Sequence, residues 1–368
     1  MKAIRFGRAA AVLSLAALAL TACGSDNPTA AVQGGSTGGS GVSGTLSGAG
    51  ASSQDSAMQA WMAGFAAKNP GANVQYSPDG SGAGRDAFLA GGVQFAGSDA
   101  HLDDEEFAAA KEICGPEGAM DIPAYVSPIA VAFNLEGVKE INMDAETMAK
   151  VFRGEITKWN DEAIASQNAG VTLPDTAITV VHRSDESGTT ENFVEYLSAA
   201  APKVWTDEVS GDWPAKLGGE NAQGTSGVVS TTSSTDGAIT YADASAVGSL
   251  GTVKVKVGDE YVAYSPEAAA KAVEVADKVE GRGDLDMSLE LRRDTTESGA
   301  YPIVLVSYHI YCSSYKDQAT ADLVKAFGNY VISEEGQQEA QKSAGNAPIS
   351  DTLREQAKTA IDSIKVAS

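Results

Sequence analysis

From residue 45 onward, short apolar runs alternate with stretches whose apolar residues recur at helical spacing. That alternation restricts the chain to an α/β fold with covered, mainly parallel sheets. Strands are predicted at 73–76, 93–97, 122–125, 129–134, 177–182, 238–241, 252–257 and 303–310. Helices are predicted at 52–68, 84–90, 105–113, 145–152, 188–197, 266–277, 317–333 and 351–364. The first helix carries Met58, Trp61, Met62 and Phe65 on one face, with Ser52 or Ser53 as its N-cap. About 320 residues are long enough for roughly two domains, and no repeat is visible.

The N-terminus imposes a second constraint. Lys2, Arg5 and Arg8 precede the apolar run 9–20, which is too short to span a bilayer as a helix. Residues 1–22 read as a secretory signal peptide. It ends Leu20-Thr21-Ala22-Cys23-Gly24, similar to the bacterial lipobox, in which Cys23 would become the lipidated first mature residue. Residues 23–44 continue as a Gly/Ser-rich flexible tether. The expected location is extracytoplasmic, at the outer face of the cell membrane, held by acyl chains on Cys23.

The formal net charge is −23. Residues 1–22 hold three of the 26 basic residues and no acidic one, so without them the charge is −26. A chain this acidic is not expected to bind nucleic acid. Besides Cys23, only Cys114 and Cys312 remain. An even pair in an oxidising compartment predicts a disulfide, the alternative being two buried thiols. His101, His182 and His309 are far apart and no zinc spacing exists, so structural roles and no metal are expected. Trp61 is expected in the core. Arg282-Gly283-Asp284 spells an adhesion tripeptide by chance.

Four small polar segments carry the chemistry. They are Gly48–Ser53, Gly80–Gly84, Ala96–Asp99 and His182–Thr189. Three of them place small residues and a hydroxyl at a predicted helix start. There, free N–H groups and the helix dipole favour an anion. Arg183 adds a fork of donors suited to a tetrahedral oxyanion.

In this order, the segments resemble the phosphate-binding component of high-affinity phosphate ABC transporters. The resemblance covers about residues 46–368. It includes Gly48-Ala49-Gly50-Ala51-Ser52, Gly80-Ser81-Gly82 and Gly97-Ser98-Asp99. It continues through Gly154–Ile164 with its Lys158-Trp159-Asn160-Asp161, through Arg183–Thr189, and through Leu217–Asn221. It implies a two-lobed periplasmic-binding-protein fold of type II kind, each lobe a mixed, mainly parallel sheet flanked by helices, with the ligand in the cleft. Residues 45–125 with 304–368 would form lobe 1, and residues 126–303 lobe 2.

By the same resemblance, the hydroxyls of Ser52, Ser81, Ser187 and Thr189 and the N–H groups of Ser53 and Gly188 would donate to phosphate. Arg183 would contact the anion and be held by Asp185, and Asp99 would accept a ligand proton. Ser52-Ser53 replaces the family's usual Thr-Phe, and His182 stands where a second basic residue is common. Implied partners are inorganic phosphate and an ABC permease driven by a cytoplasmic ATPase. A monomer without cofactor or catalysis is expected.

Asp99 carries the discrimination. Sulfate at neutral pH has no proton, whereas phosphate keeps at least one. A buried carboxylate is satisfied by P–OH and left unpaired by sulfate. Two rivals stand beside this reading. One is a receptor for another oxyanion such as sulfate. The other is a secreted phosphohydrolase with a Ser nucleophile, for which His182 is the one nearby base and should point away along its strand.

Overall fold

The computed structural model describes residues 41–274 and 276–367. The signal peptide, Cys23 and most of the tether lie outside the described residues. In chain order, the strands of the main sheet are β1 (Gly44–Gly50), β2 (Ala72–Ser77), β3 (Phe95–Ser98), β4 (Ala119–Phe133), β5 (Glu140–Met143), β6 (Thr179–Arg183), β7 (Glu220–Ala222), β8 (Ala238–Asp243), β9 (Gly251–Val257) and β10 (Glu260–Val262). A small pair, β11 (Asp277–Lys278) and β12 (Leu289–Glu290), precedes the long β13 (Val304–Cys312). The helices are α1 (Asp55–Lys68), α2 (Ser81–Leu89), α3 (Asp104–Cys114), α4 (Ala145–Phe152), α5 (Glu162–Ala165), α6 (Gly188–Ala200), α7 (Gly224–Ser234), α8 (Pro266–Glu274), α9 (Gln318–Ile332), α10 (Glu334–Ala344) and α11 (Asp351–Asp362).

Among the described residues, the main sheet runs β2-β1-β3-β13-β4-β8-β6-β7, with β9 also on β4 and carrying β5 and β10. It is mixed. β1 is parallel to β2 and β3, and β6 is parallel to β7 and β8. The spine is antiparallel, because β13 runs against β3 and β4, and β4 against β8. Every residue of β4 and β13 is buried. Such strands read as continuous apolar runs because helices cover both faces.

The separate strands predicted at 122–125 and 129–134 are one strand. Pro123 and Pro128 looked like breaks because proline donates no ladder hydrogen bond. Pro123 instead stands at the bulge where the pairing with β13 shifts beside Ser307 and Tyr308. Pro128 stands where β4 passes from β13 to β8, with Ile129 taking up Asp243. The single helix predicted over 52–68 divides into a 3-10 turn, Ser52–Gln54, and α1. Gln54 is the N-cap of α1, and neither serine caps it. That frees both hydroxyls for contacts elsewhere. Helix α10 escaped prediction, its polar sequence hiding a narrow buried stripe of Gly336, Gln337, Ala340 and Ala344.

Trp61 is buried and donates to the Gly336 carbonyl at 2.9 Å. Trp159 donates to the Gly237 carbonyl at 2.9 Å and packs on Phe133. The distinctive Lys-Trp-Asn-Asp segment therefore serves the fold, with Asp161 capping α5. Cys114 and Cys312 form a disulfide, their Cα atoms 4.6 Å apart. Arg282 donates to the Leu102 carbonyl at 2.7 Å and covers the Phe107 ring, while the Asp286 carboxylate accepts from the Asp121 N–H. Segment 282–289 thus lies against α3 and the start of β4.

Candidate functional site

Strands β1, β3 and β6 run out toward one polar cluster, at the carboxyl ends where open α/β sheets receive ligands. After β1 come Ser52 and Ser53, after β3 comes Asp99, and β6 ends on Arg183. Helices α2 and α6 begin there, with Ser81 the first residue of α2 and Ser187 the N-cap of α6. The backbones approach closely. A Cβ on Gly50, whose φ is +145°, would sit 1.8 Å from the Gly97 carbonyl oxygen. Only glycine tolerates that approach.

Asp99 stands at the centre, 3% exposed. Its Oδ2 accepts from the Ser53 hydroxyl at 2.5 Å and from the Thr189 hydroxyl at 3.2 Å. Its Oδ1 accepts from the Ser307 hydroxyl at 2.6 Å. Its N–H donates to Ser81 Oγ at 3.2 Å, and its carbonyl accepts from Asn192 Nδ2 at 2.7 Å. Burial pushes its carboxyl up, against the opposing pull of the Ser307 and Ser53 hydroxyls, Arg183 and Thr189.

The α6 segment meets Asp99 tightly. A Cβ on Gly188 would lie 2.7 Å from the Asp99 Cβ and 2.8 Å from Ser81 Oγ. Ser187 accepts from the Thr190 N–H at 3.3 Å. Arg183 is buried and grips Asp185 through two hydrogen bonds, one of them Nε to Oδ1 at 2.8 Å. Asp185 also accepts from the Gly224 N–H at 3.0 Å. Partial burial pushes the Asp185 carboxyl up, and the Arg183 hydrogen bonds and charge outweigh it, holding it below the ordinary carboxylate range.

Ser52 is turned toward α7. Its Oγ accepts from the Thr225 N–H at 3.0 Å and lies 3.1 Å from Thr225 Oγ1. Ser53, Ser81, Asp99, Gly188 and Thr189 thus converge directly. Arg183 and Asp185 stand beside them, and Ser52 joins through Gly224 and Thr225. Sequence reasoning missed Thr225, Gln54 and Ser307. Ser307 is hidden inside an apolar strand, where a lone buried hydroxyl was the available signal. His182 stacks on Trp213 and its Nδ1 bonds the Arg183 carbonyl at 2.8 Å. Its ring is occupied there, and partial burial lowers its proton affinity.

Asp99 also borders a cavity of about 310 Å³ with Glu191, Glu195, Glu290 and Arg293 on its walls. Burial, only partly opposed by Arg85, pushes the Glu191 carboxyl up to about 7. An anion is disfavoured among those carboxylates, whereas the neighbouring cluster offers neutral donors, two helix starts and a guanidinium.

Comparison with known proteins decides the lineage. Residues 35–335 match the PBP superfamily domain. Phosphate-binding protein PstS 3 of Mycobacterium leprae is 37% identical over 99% of this chain and 100% of its own length. The chain belongs to the PstS family of phosphate-binding proteins. PstS 2 of Mycobacterium tuberculosis is 35% identical with the same coverage. The phosphate-binding protein of Stenotrophomonas maltophilia superimposes with a TM-score of 0.67 at 19% identity, covering 86% of this chain and 93% of that one. The α/β periplasmic-binding fold expected from the sequence is therefore the fold of this PstS chain. Among the described residues, no helix is long and apolar enough to cross a membrane.

Proposed function

We propose that this PstS chain is a lipid-anchored, extracytoplasmic receptor. It binds inorganic phosphate between two lobes and delivers it to an ABC permease driven by a cytoplasmic ATPase. The observation that carries the reading is the buried Asp99 carboxylate ringed by Ser53, Thr189 and Ser307 hydroxyls, beside the Arg183–Asp185 pair. Full-length similarity to proteins named for phosphate binding supports the ligand.

In this reading Ser52, Ser53, Ser81, Ser187, Gly188 and Thr189 turn donors to the phosphate oxygens, and Arg183 supplies charge while Asp185 fixes its fork. Ser53 and Thr189 give their protons to Asp99 Oδ2, so a P–OH that takes their place on Oδ2 releases both hydroxyls to donate to the phosphate oxygens. Lobe 1 comprises residues 45–125 with 304–368, and lobe 2 residues 126–303. β4 and β13 are the crossings, and the 282–289 segment is a lobe 2 strap lying on lobe 1. Site residues come from both stretches, so anion binding favours the closed arrangement. Cys23 carries the anchor, and the receptor acts as a monomer without catalysis.

Titration calorimetry of the purified protein, stripped of carried ligand by unfolding and refolding, tests this at pH 7. One-to-one phosphate binding tighter than about 1 μM, or about −8 kcal/mol, without sulfate heat is expected. Equal binding of both anions would make the chain a general oxyanion receptor, and binding of neither would overturn the reading.

A further inference from the structure

Behind Asp99 runs a buried chain of hydrogen bonds whose direction is fixed by a single carbonyl. Gln54 Nε2 lies 2.9 Å from the Tyr308 carbonyl oxygen and 2.7 Å from Ser307 Oγ. A carbonyl accepts only, so the amide nitrogen must face it and Oε1 must face the other way. Oε1 lies 3.1 Å from His309 Nε2, which must therefore carry a proton. Burial holds the His309 imidazole down at about 3, so the ring is neutral and its Nδ1 is an acceptor. The Tyr311 hydroxyl, 2.9 Å away, donates its hydrogen bond to that Nδ1. At the near end, Ser307 already accepts from Gln54. Its own proton then goes to Asp99 Oδ1 at 2.6 Å.

We infer that Ser307 is a positioning residue for Asp99, held as a donor by Gln54, whose amide the Tyr308 carbonyl orients and the His309–Tyr311 pair completes, and that it sets which oxyanions the site accepts. The inference deepens the phosphate reading and rests on it. Ser307 saturates Oδ1 with a donor, which opposes the push of burial toward the protonated form, and only Oδ2 faces the cluster of Ser53 and Thr189. A charged acceptor demands a ligand proton, which phosphate has and sulfate lacks. The other groups around Asp99 are Arg183 from β6, Asp243 from β8, Tyr76 from β2 and Tyr125 from β4, with His101, Glu191 and Arg293 along the adjoining cavity.

The test measures phosphate and sulfate affinities from pH 5 to 8 for the wild-type protein and for Ser307→Ala, Ser307→Cys and Ser307→Thr. Thermal melts identify folded variants. Removing a hydrogen bond to a charged group should narrow the phosphate-to-sulfate ratio roughly ten- to hundredfold. Sulfate binding should grow as pH falls, because Asp99 takes a proton more readily and can then donate. Ser307→Cys, which keeps the volume and offers a weak donor, should move the same way, while Ser307→Thr retains the wild-type ratio. A merely structural role would lower the melting temperature and leave the ratio alone. Folded Ala or Cys variants with the wild-type ratio at every pH overturn this inference and leave the phosphate reading standing. A wild-type protein that binds neither anion overturns both.

Discussion

At the scale of single residues, the proposed site assigns selectivity to the charge of Asp99 and affinity to that of Arg183. Asp99 is a buried acceptor, and an amide in its place can donate as well as accept. Asp99→Asn should keep phosphate and admit sulfate, cutting a discrimination of the roughly 10⁴–10⁵ order that a polar mismatch commands by at least about a hundredfold. Paired calorimetry at pH 7 reads this directly, and unchanged sulfate rejection would refute the proton-reading role. In the proposed site, Arg183 would serve any anion alike. Arg183→Ala should weaken whichever anions bind by about 2 kcal/mol or more, since it also leaves Asp185 without its partner. Its melting temperature should fall as well. The residues of this cluster were legible through the resemblance, because a small residue or hydroxyl at one helix start is usually only a turn or a cap and gains meaning from the joint order of the four segments. Ser307, Gln54 and Thr225 were not. Apart from the lone hydroxyl of Ser307 in an apolar strand, nothing local marks them, and their roles arise from contacts across separations such as the 253 positions between Gln54 and Ser307.

At the scale of elements, packing tolerances replace charge. Helix α6 abuts Asp99 through Gly188, where a methyl group would meet the Asp99 Cβ and Ser81 Oγ below van der Waals distance. Gly188→Ala should therefore push the start of α6 off β3 and weaken phosphate binding by about a hundredfold or more, as small misplacements in such sites do. In the proposed two-lobe arrangement, opening the cleft relieves the clash, so thermal stability in the absence of ligand should barely change. Calorimetry together with melting separates the two effects. Strand β8 ends on Asp243, whose Oδ1 caps the Ser245 N–H at 2.9 Å and whose buried Oδ2 has no partner. Burial pushes its carboxyl up to about 6. The folded protein then holds a proton that the unfolded chain has lost above about pH 4. Stability falls as pH rises from there to about 6 and stays lower above it. Asp243→Asn keeps the cap and removes the charge. It should match wild type at pH 4 and exceed it by on the order of 2 kcal/mol at pH 8, as urea unfolding at the two pH values would measure. The strands and helices with a clear apolar period were legible because periodicity records burial, whereas β1 and α7, rich in glycine, serine and threonine, were not, and α2 starts at Ser81 rather than 84. The join across Pro123 and Pro128 was not, since a bulge and a change of partner are properties of neighbouring strands.

At the scale of the whole molecule, β4 and β13 determine what can move. Both run buried along their length, and β4 exchanges β13 for β8 at Pro128 and Ile129. In the proposed two-lobe arrangement, that handover is where bending concentrates. The disulfide lies elsewhere. It joins the end of α3 to the end of β13, where Cys312 pairs with Ala119 at the start of β4, and Ser314 donates to the Cys114 carbonyl at 2.7 Å. Both cysteines belong to one side of the handover, so in the proposed two-lobe arrangement the bridge restrains the unfolded chain without restraining closure. It spans 198 positions, and losing such a cross-link typically costs about 2–4 kcal/mol. The double variant Cys114→Ser, Cys312→Ser should therefore melt several degrees lower, while its phosphate affinity stays within about twofold, as expected of uncoupled sites. Ligand binding only the native state adds RT ln(1 + [L]/Kd) to stability. Saturating phosphate should then raise the unfolding free energy of both proteins equally. A smaller increment in the double variant would mean that the disulfide reaches the closing motion, and the hinge would have to be sought nearer the end of β13.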